Sequence, residues 1–270
     1  MKHGLAIIGA GNMAEAIVRG VTSRGVLRAD QIVAADPSPQ RRELFETQLK
    51  VTTVDDNASA ARDARAILLS VKPQQMATAL SSLGSILDPQ ALVISIAAGI
   101  GTKFIEKHLG TSTRWRIVRA MPNTPMLVGQ GMTALARGAN ATDDDLAFAR
   151  QLFESAGTVI DVDEDKMNAV TALSGSGPAY FFYLVEQMIR AAVELGMTPE
   201  QAHTLATKTA LGAATMLTTS QDSPQELRRK VTSPGGTTQA AIESLESRQV
   251  AQAFADAIKA AERRGRELGQ

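Results

Sequence analysis

Leu5-Ala6-Ile7-Ile8-Gly9-Ala10-Gly11-Asn12-Met13-Ala14 is the stretch on which the reading of this 270-residue chain turns. Four apolar residues read as a buried strand, the glycines as a turn, and the Ala-rich residues 13–23 as a helix. The pattern is G-x-G-x-x-G/A, in the strand–turn–helix context that it requires. Gly9 permits the tight turn. Gly11 has no side chain to hold an anion off the backbone, and Ala14 lets the helix pack close to the strand. The helix N-terminus presents free N–H groups and the positive end of its dipole. The stretch predicts a pyrophosphate site for a dinucleotide. The plainer reading is a Gly-rich turn that binds nothing.

Further apolar runs at 32–35, 66–71, 91–97, 117–121, 132–136 and 158–162 alternate with helix-like segments. Such alternation predicts βαβ units, a doubly wound parallel sheet and helices on both faces. The fold class is therefore α/β, with an N-terminal Rossmann-type sheet. From residue 163 onward no strand is predicted. Residues 166–174, 179–195, 199–218, 224–231 and 238–268 read as helices, punctuated by Gly and Pro. The expected domains are 1–162, binding the dinucleotide, and 163–270, all-α, for substrate and dimerisation.

Residues 179–195 are apolar around most of the helix, with Tyr180, Phe181, Phe182, Leu184, Val185, Met188 and Ile189 among them. A helix apolar all round is expected to be buried. A segment of about 105 residues has difficulty enclosing one alone. A subunit interface is the expected solution, and packing within its own domain the alternative.

Lys+Arg and Asp+Glu are 28 each, so the formal net charge is zero and no global field favours nucleic acid or an anionic membrane. There is no Cys, and the three histidines, His3, His108 and His203, are scattered. Disulfides and thiolate chemistry are excluded, and no metal site or histidine-based hydrolase is expected. No apolar run approaches a membrane span, and the start of the chain reads as no signal segment, so a cytoplasmic protein is expected.

Ligands of open α/β sheets lie beyond the carboxyl ends of the strands. The glycine turn places Ile8, Gly9, Ala10, Gly11, Asn12 and Met13 at the cofactor. Asp36 ends the second strand, where an acid favours NAD, while Ser38, Arg41 and Arg42 offer partners to the 2′-phosphate of NADP. Preference stays open between the two. Val71-Lys72-Pro73 and Ala97-Ala98-Gly99 end the next strands and are expected beside the cofactor. Lys72 meets it or stands in solvent. Met121-Pro122-Asn123-Thr124-Pro125 forms an extended loop that supplies Asn123. In the helical half, Ser233-Pro234-Gly235-Gly236-Thr237-Thr238 precedes the last helix. Free amides and a helix N-terminus make it an anion site for a carboxylate, or else a plain helix cap. Ser174-Gly175-Ser176-Gly177-Pro178 is a second such helix start.

These segments, with Arg119-Ala120 before Met121 and Ala179-Tyr180 after Pro178, resemble the pyrroline-5-carboxylate reductases in order and along most of the chain. The glycine fingerprint is shared with many dehydrogenases, and the other motifs are far more specific. The resemblance implies a 6-phosphogluconate-dehydrogenase-like pair of domains, the helical one interlocking with a partner as a homodimer, or as a larger ring of dimers. It implies an active site shared between subunits, NADPH with NADH as the possible alternative, and reduction of 1-pyrroline-5-carboxylate to proline. Asn57 would contact the adenosine side and Ser38 the 2′-phosphate. Ser174, Ser233, Gly235, Gly236, Thr237 and Thr238 would hold the substrate. A protonated imine needs no strong acid. The Gly235 and Gly236 amides would take its carboxylate, and the catalytic Thr238 hydroxyl would bond the ring nitrogen. Two alternatives are another reductase of the β-hydroxyacid dehydrogenase type, which the absence of Lys from 179–195 disfavours, and a non-catalytic nucleotide-binding protein.

Overall fold

A computed structural model describes residues 3–269. The chain forms two compact units, residues 3–176 with 260–269, and residues 177–259. The first unit contains β1 (His3–Ile8), β2 (Ile32–Ala35), β3 (Thr52–Val54), β4 (Ala64–Leu69), β5 (Leu92–Ser95), β6 (Arg116–Met121), β7 (Gly131–Arg137) and β8 (Gly157–Asp161). They form one sheet in the order β3-β2-β1-β4-β5-β6-β7-β8. Only the β6–β7 pairing is antiparallel.

Around this sheet lie α1 (Asn12–Ser23), α2 (Pro39–Leu49), α3 (Asn57–Ala61), α4 (Met76–Ser81), α5 (Thr102–Leu109), α6 (Asp143–Glu154) and α7 (Met167–Val170). Side chains alternate across a strand. Leu5, Ile7, Ala34, Leu68 and Ile94 therefore join one core with Ile17 of α1 and Phe153 of α6. Ala6, Ile8, Val33, Ile67 and Leu69 join the opposite core with Met76 and Leu80 of α4 and Ile105 of α5. Strands covered on both faces read as continuous apolar runs, which is why these were legible in the sequence.

The second unit is helical: α8 (Gly177–Glu194), α9 (Pro199–Thr219), α10 (Pro224–Lys230), α11 (Thr237–Ser247) and α12 (Val250–Leu268), whose residues from 260 on belong to the first unit. Among the described residues no strand follows Asp161, as expected, while the compact units divide at 176/177. Residues 163–176 and the end of the chain pack with the sheet unit.

Three expectations need correction. The helix expected over 238–268 is two helices. Gln249 takes a left-handed backbone, φ 56°, and ends the first, with no Gly or Pro to announce it. The helix expected over 166–174 closes instead in a π-helical turn, Thr171–Gly175. The α8 aromatics are not buried within this chain: Phe181 is 63% and Phe182 69% exposed. α8 does pack on α9 in its own unit, but that packing leaves these aromatics uncovered. The edge strand β3 was not anticipated, because Thr52 and Thr53 give it no apolar run.

Candidate active site

The first unit builds its site at the carboxyl edge of β1 and β4. Gly9 has φ +97°, and a Cβ there would lie 2.9 Å from the Ser70 carbonyl oxygen. Its N–H donates to the Ala35 carbonyl at 2.8 Å, which binds the turn to β2. Gly11 is the opposite case, since an added Cβ would meet nothing within 4 Å. It opens α1, whose N-terminus no side chain caps. An uncapped helix start beside open space is an anion cradle.

Two cavities meet at this turn. One, of about 640 Å³, is lined by Gly9, Gly11, Asp36, Asn57, Val71 and Lys72, among others. The other, of about 340 Å³, is lined by Gly11, Met13, Pro73, Ala97, Ala98 and Asn123, among others. Gly11 and the turn 70–72 belong to both. An elongated cleft with its waist at Gly11 fits a dinucleotide whose pyrophosphate sits at the waist.

Several expected residues take other parts. Ile8 and Ala10 are fully buried, so they contribute backbone only. Ser38 lies outside the cavity lining. It caps α2, its hydroxyl oxygen accepting from the Arg41 N–H at 3.4 Å while the hydroxyl donates to the Gln40 side chain at 2.9 Å. Gly99 packs at φ +79° against the end of α12, where a Cβ would lie 2.9 Å from the Gly265 carbonyl oxygen. Asn123 is buried, and both ends of its amide are engaged. Its Nδ2 donates to the Ser174 carbonyl at 3.1 Å, and its Oδ1 accepts from the Met132 N–H at 2.8 Å. It therefore fixes the loop that lines the cleft and ties it to the π-helical turn. The Ser174 hydroxyl donates to the Val170 carbonyl at 3.1 Å, and the neighbouring Gly175 lines the second cavity.

Sequence reasoning missed Glu164. Its carboxylate accepts from the Thr102 N–H and hydroxyl, both at 2.6 Å, and so caps α5 immediately beyond Gly99-Ile100-Gly101. The guanidinium of Arg119 lies 3.9 Å from it. Burial pushes the pKa of Arg119 down, and the Glu164 charge opposes that shift. The arginine was visible in its motif, but no spacing linked it to a partner 45 positions away.

In the second unit, Ser233 to Gly236 connect α10 to α11. Gly235 has φ +69°, a turn that glycine adopts freely. The open amides expected at Gly235 and Gly236 are a further point of correction. The Gly235 N–H donates to the Gln239 side chain at 2.7 Å, and the Gly236 N–H donates to the Ser233 carbonyl at 3.0 Å. A side chain one turn into a helix folds back on the exposed turn more readily than composition reveals. The N-terminus of α11 carries no side-chain cap. Its first-turn amides at Thr237 and Thr238 lack intrahelical acceptors by geometry. Thr238 is half-buried.

A glycine cradle on a doubly wound sheet, joined in one chain to a strand-free region, defines a two-domain NAD(P)-dependent oxidoreductase. Residues 4–99 match the family described as NADP oxidoreductase coenzyme F420-dependent, and residues 164–268 match pyrroline-5-carboxylate reductase dimerisation. A pyrroline-5-carboxylate reductase of Pseudomonas aeruginosa is 42% identical over 98% of this chain and 97% of its own. That of Synechocystis is 39% identical over the whole of both. Among solved structures, the Coxiella burnetii pyrroline-5-carboxylate reductase aligns with TM-score 0.90 and 40% identity over the whole of both chains. The Plasmodium falciparum pyrroline carboxylate reductase, with NADP bound, aligns with TM-score 0.89 and 28% identity over the same extent. The chain belongs to the pyrroline-5-carboxylate reductase family.

Proposed function

We propose that the protein reduces 1-pyrroline-5-carboxylate to proline with NAD(P)H, the last step of proline synthesis. The observation that carries this reading is the presence in one chain of the Gly9–Gly11 cleft and the uncapped α11 start behind Ser233-Pro234-Gly235-Gly236. The names of its relatives supply the substrate.

Gly9, Gly11 and the α1 amides fit the pyrophosphate, and Asn57 fits the adenosine side. Ala97 and Ala98 leave room for a flat ring. When bound, the reduced nicotinamide supplies the hydride that adds to the imine carbon. The remaining work is orientation and charge. The α11 start, with the amides of Thr237 and Thr238, holds the substrate carboxylate. The Thr238 hydroxyl bonds the ring nitrogen, which keeps its proton as the C=N bond becomes C–N. The iminium is already electrophilic, so no histidine or cysteine is needed.

The division of labour proposed is cofactor binding in 1–162, and substrate binding and pairing in 163–270. The chain carries a dimerisation region. Assembly of its dimers into a larger ring, and action in the cytoplasm, are part of the same proposal. Among the described residues, no helix is long and apolar enough to cross a membrane. A steady-state assay of imine-dependent NADH and NADPH oxidation tests the activity. Tight dinucleotide binding without turnover would leave a nucleotide-binding protein. Turnover of a 3-hydroxy acid would favour the β-hydroxyacid reading, although α8 holds no lysine.

A further inference from the structure

The carboxyl end of β2 decides how the adenosine ribose of a dinucleotide is read. Asp36 stands there and lines the larger cavity. Its carboxylate is held by two backbone donors, the Ala10 N–H at 2.8 Å and the Ser38 N–H at 2.9 Å. One of these donors belongs to the glycine turn itself. The carboxylate is thus pinned beside the place where the pyrophosphate enters, and it retains lone pairs for further donors.

The cations of this segment are committed elsewhere. Arg41 donates from Nε to the Ala10 carbonyl at 2.6 Å and from Nη2 to Glu15 at 3.0 Å. Arg42 donates from Nη1 to the carbonyls of Asp36, at 2.7 Å, and Pro37, at 3.1 Å. Neither arginine lines the cavity, and neither does Ser38. Asp36 and Lys72 are the charged residues that do, and Lys72 sits on the β4 turn rather than on the β2 side.

A ribose 2′-hydroxyl donates a hydrogen bond to a carboxylate. A 2′-phosphate carries close to two negative charges and only acceptor oxygens at neutral pH. Against Asp36 it meets a like charge where it needs donors. We propose that Asp36 is the specificity-determining residue of this enzyme and makes it prefer NADH over NADPH. The inference rests on the dinucleotide reading of the cleft and adds to it the choice of cofactor.

The test is kcat/KM with each dinucleotide, together with displacement of bound NADH by AMP and by adenosine 2′,5′-bisphosphate. The expected result is a preference for NADH of roughly tenfold or more, the scale at which like charges discriminate. The bisphosphate should compete no better than AMP. Asp36→Ser should shift the NADPH/NADH ratio toward NADPH by a similar factor, mainly through KM. Asp36→Asn keeps the shape and one acceptor and should shift it in the same direction. The competition assay on the parent protein decides the matter even if neither variant folds. A parent enzyme that prefers NADPH overturns the proposal. So does a ratio unmoved in folded variants, or bisphosphate binding that is tighter than that of AMP and is lost in Lys72→Ala. If the protein binds no dinucleotide at all, the reading of the cleft falls, and the proposal falls with it.

Discussion

Gly11 faces open space while Gly9 is pressed against Ser70, so the two glycines have different reasons for lacking a side chain. Gly11→Val adds bulk to the cleft and not to the core. We expect it to weaken dinucleotide binding by roughly tenfold or more, equivalent to at least 1.4 kcal/mol, with an unaltered melting temperature. Fluorescence titration of NADH and NADPH checks it, and an unchanged dissociation constant in a folded variant removes the fingerprint from the site. Asn123 makes the opposite forecast. Asn123→Ala removes the acceptor of the half-buried Met132 N–H, which costs roughly 1 kcal/mol in a denaturant titration. If stability holds and only cofactor affinity drops, Asn123 serves the ligand directly. Thr238→Ala is expected to lower kcat/KM for the imine by roughly 10- to 100-fold, one hydrogen bond to a charged group being worth about 1.5–3 kcal/mol. Thr238→Ser should recover most of the rate. A variant that melts lower yet turns over at the parent rate would reduce Thr238 to a helix residue.

Elements were legible where one physical rule dominated. The strands running through the sheet centre are apolar along most of their length because both faces are covered. α9 is marked by Thr198 before Pro199, with a capping box to Gln201. β3 failed the same test, being three residues at an edge, and the break at Gln249 carries no breaker residue. At this scale α1 and α2 are joined by charge. Glu15 bonds Arg19 and Arg41, and although its burial acts in the other direction, the two guanidiniums hold its carboxyl below the ordinary glutamate range. A depressed carboxyl contributes stability that is complete above its unfolded value, about 4.3, and that is lost as pH falls through the lower folded value. Glu15→Gln should therefore melt below the parent at neutral pH, and the gap should close in acid. Emission of the single buried tryptophan, Trp115, reports both melts. A gap that persists in acid, where the carboxyl is protonated in both the folded and the unfolded chain, would rule out the carboxylate as its source.

At the scale of the whole molecule, α8 leaves Phe181, Phe182, Tyr183 and Leu184 more than half exposed. Apolar surface of that extent calls for a partner. Light scattering at micromolar concentration should give at least a dimer, and Phe182→Asp should shift it toward monomer. A stable, active monomer of 28.6 kDa would sink the shared assembly. What the sequence by itself determined is the class of fold, the glycine turn, the helical half and the order of the site motifs. These depend on periodicity, on glycine's missing side chain and on residues adjacent in the chain. Only the tertiary structure decided that Glu164 caps α5, that Asn123 ties its loop to the Ser174 turn, and that Gln239 occupies the Gly235 amide. It also decided that the end of α12 belongs with the sheet unit, against Gly99. Glu164, Asn123 and the Gly99 contact join positions more than 50 residues apart, and Gln239 competes for a donor that composition leaves open. Which acceptor wins a given amide is settled by distance and angle in the folded chain, and residue type alone does not specify either.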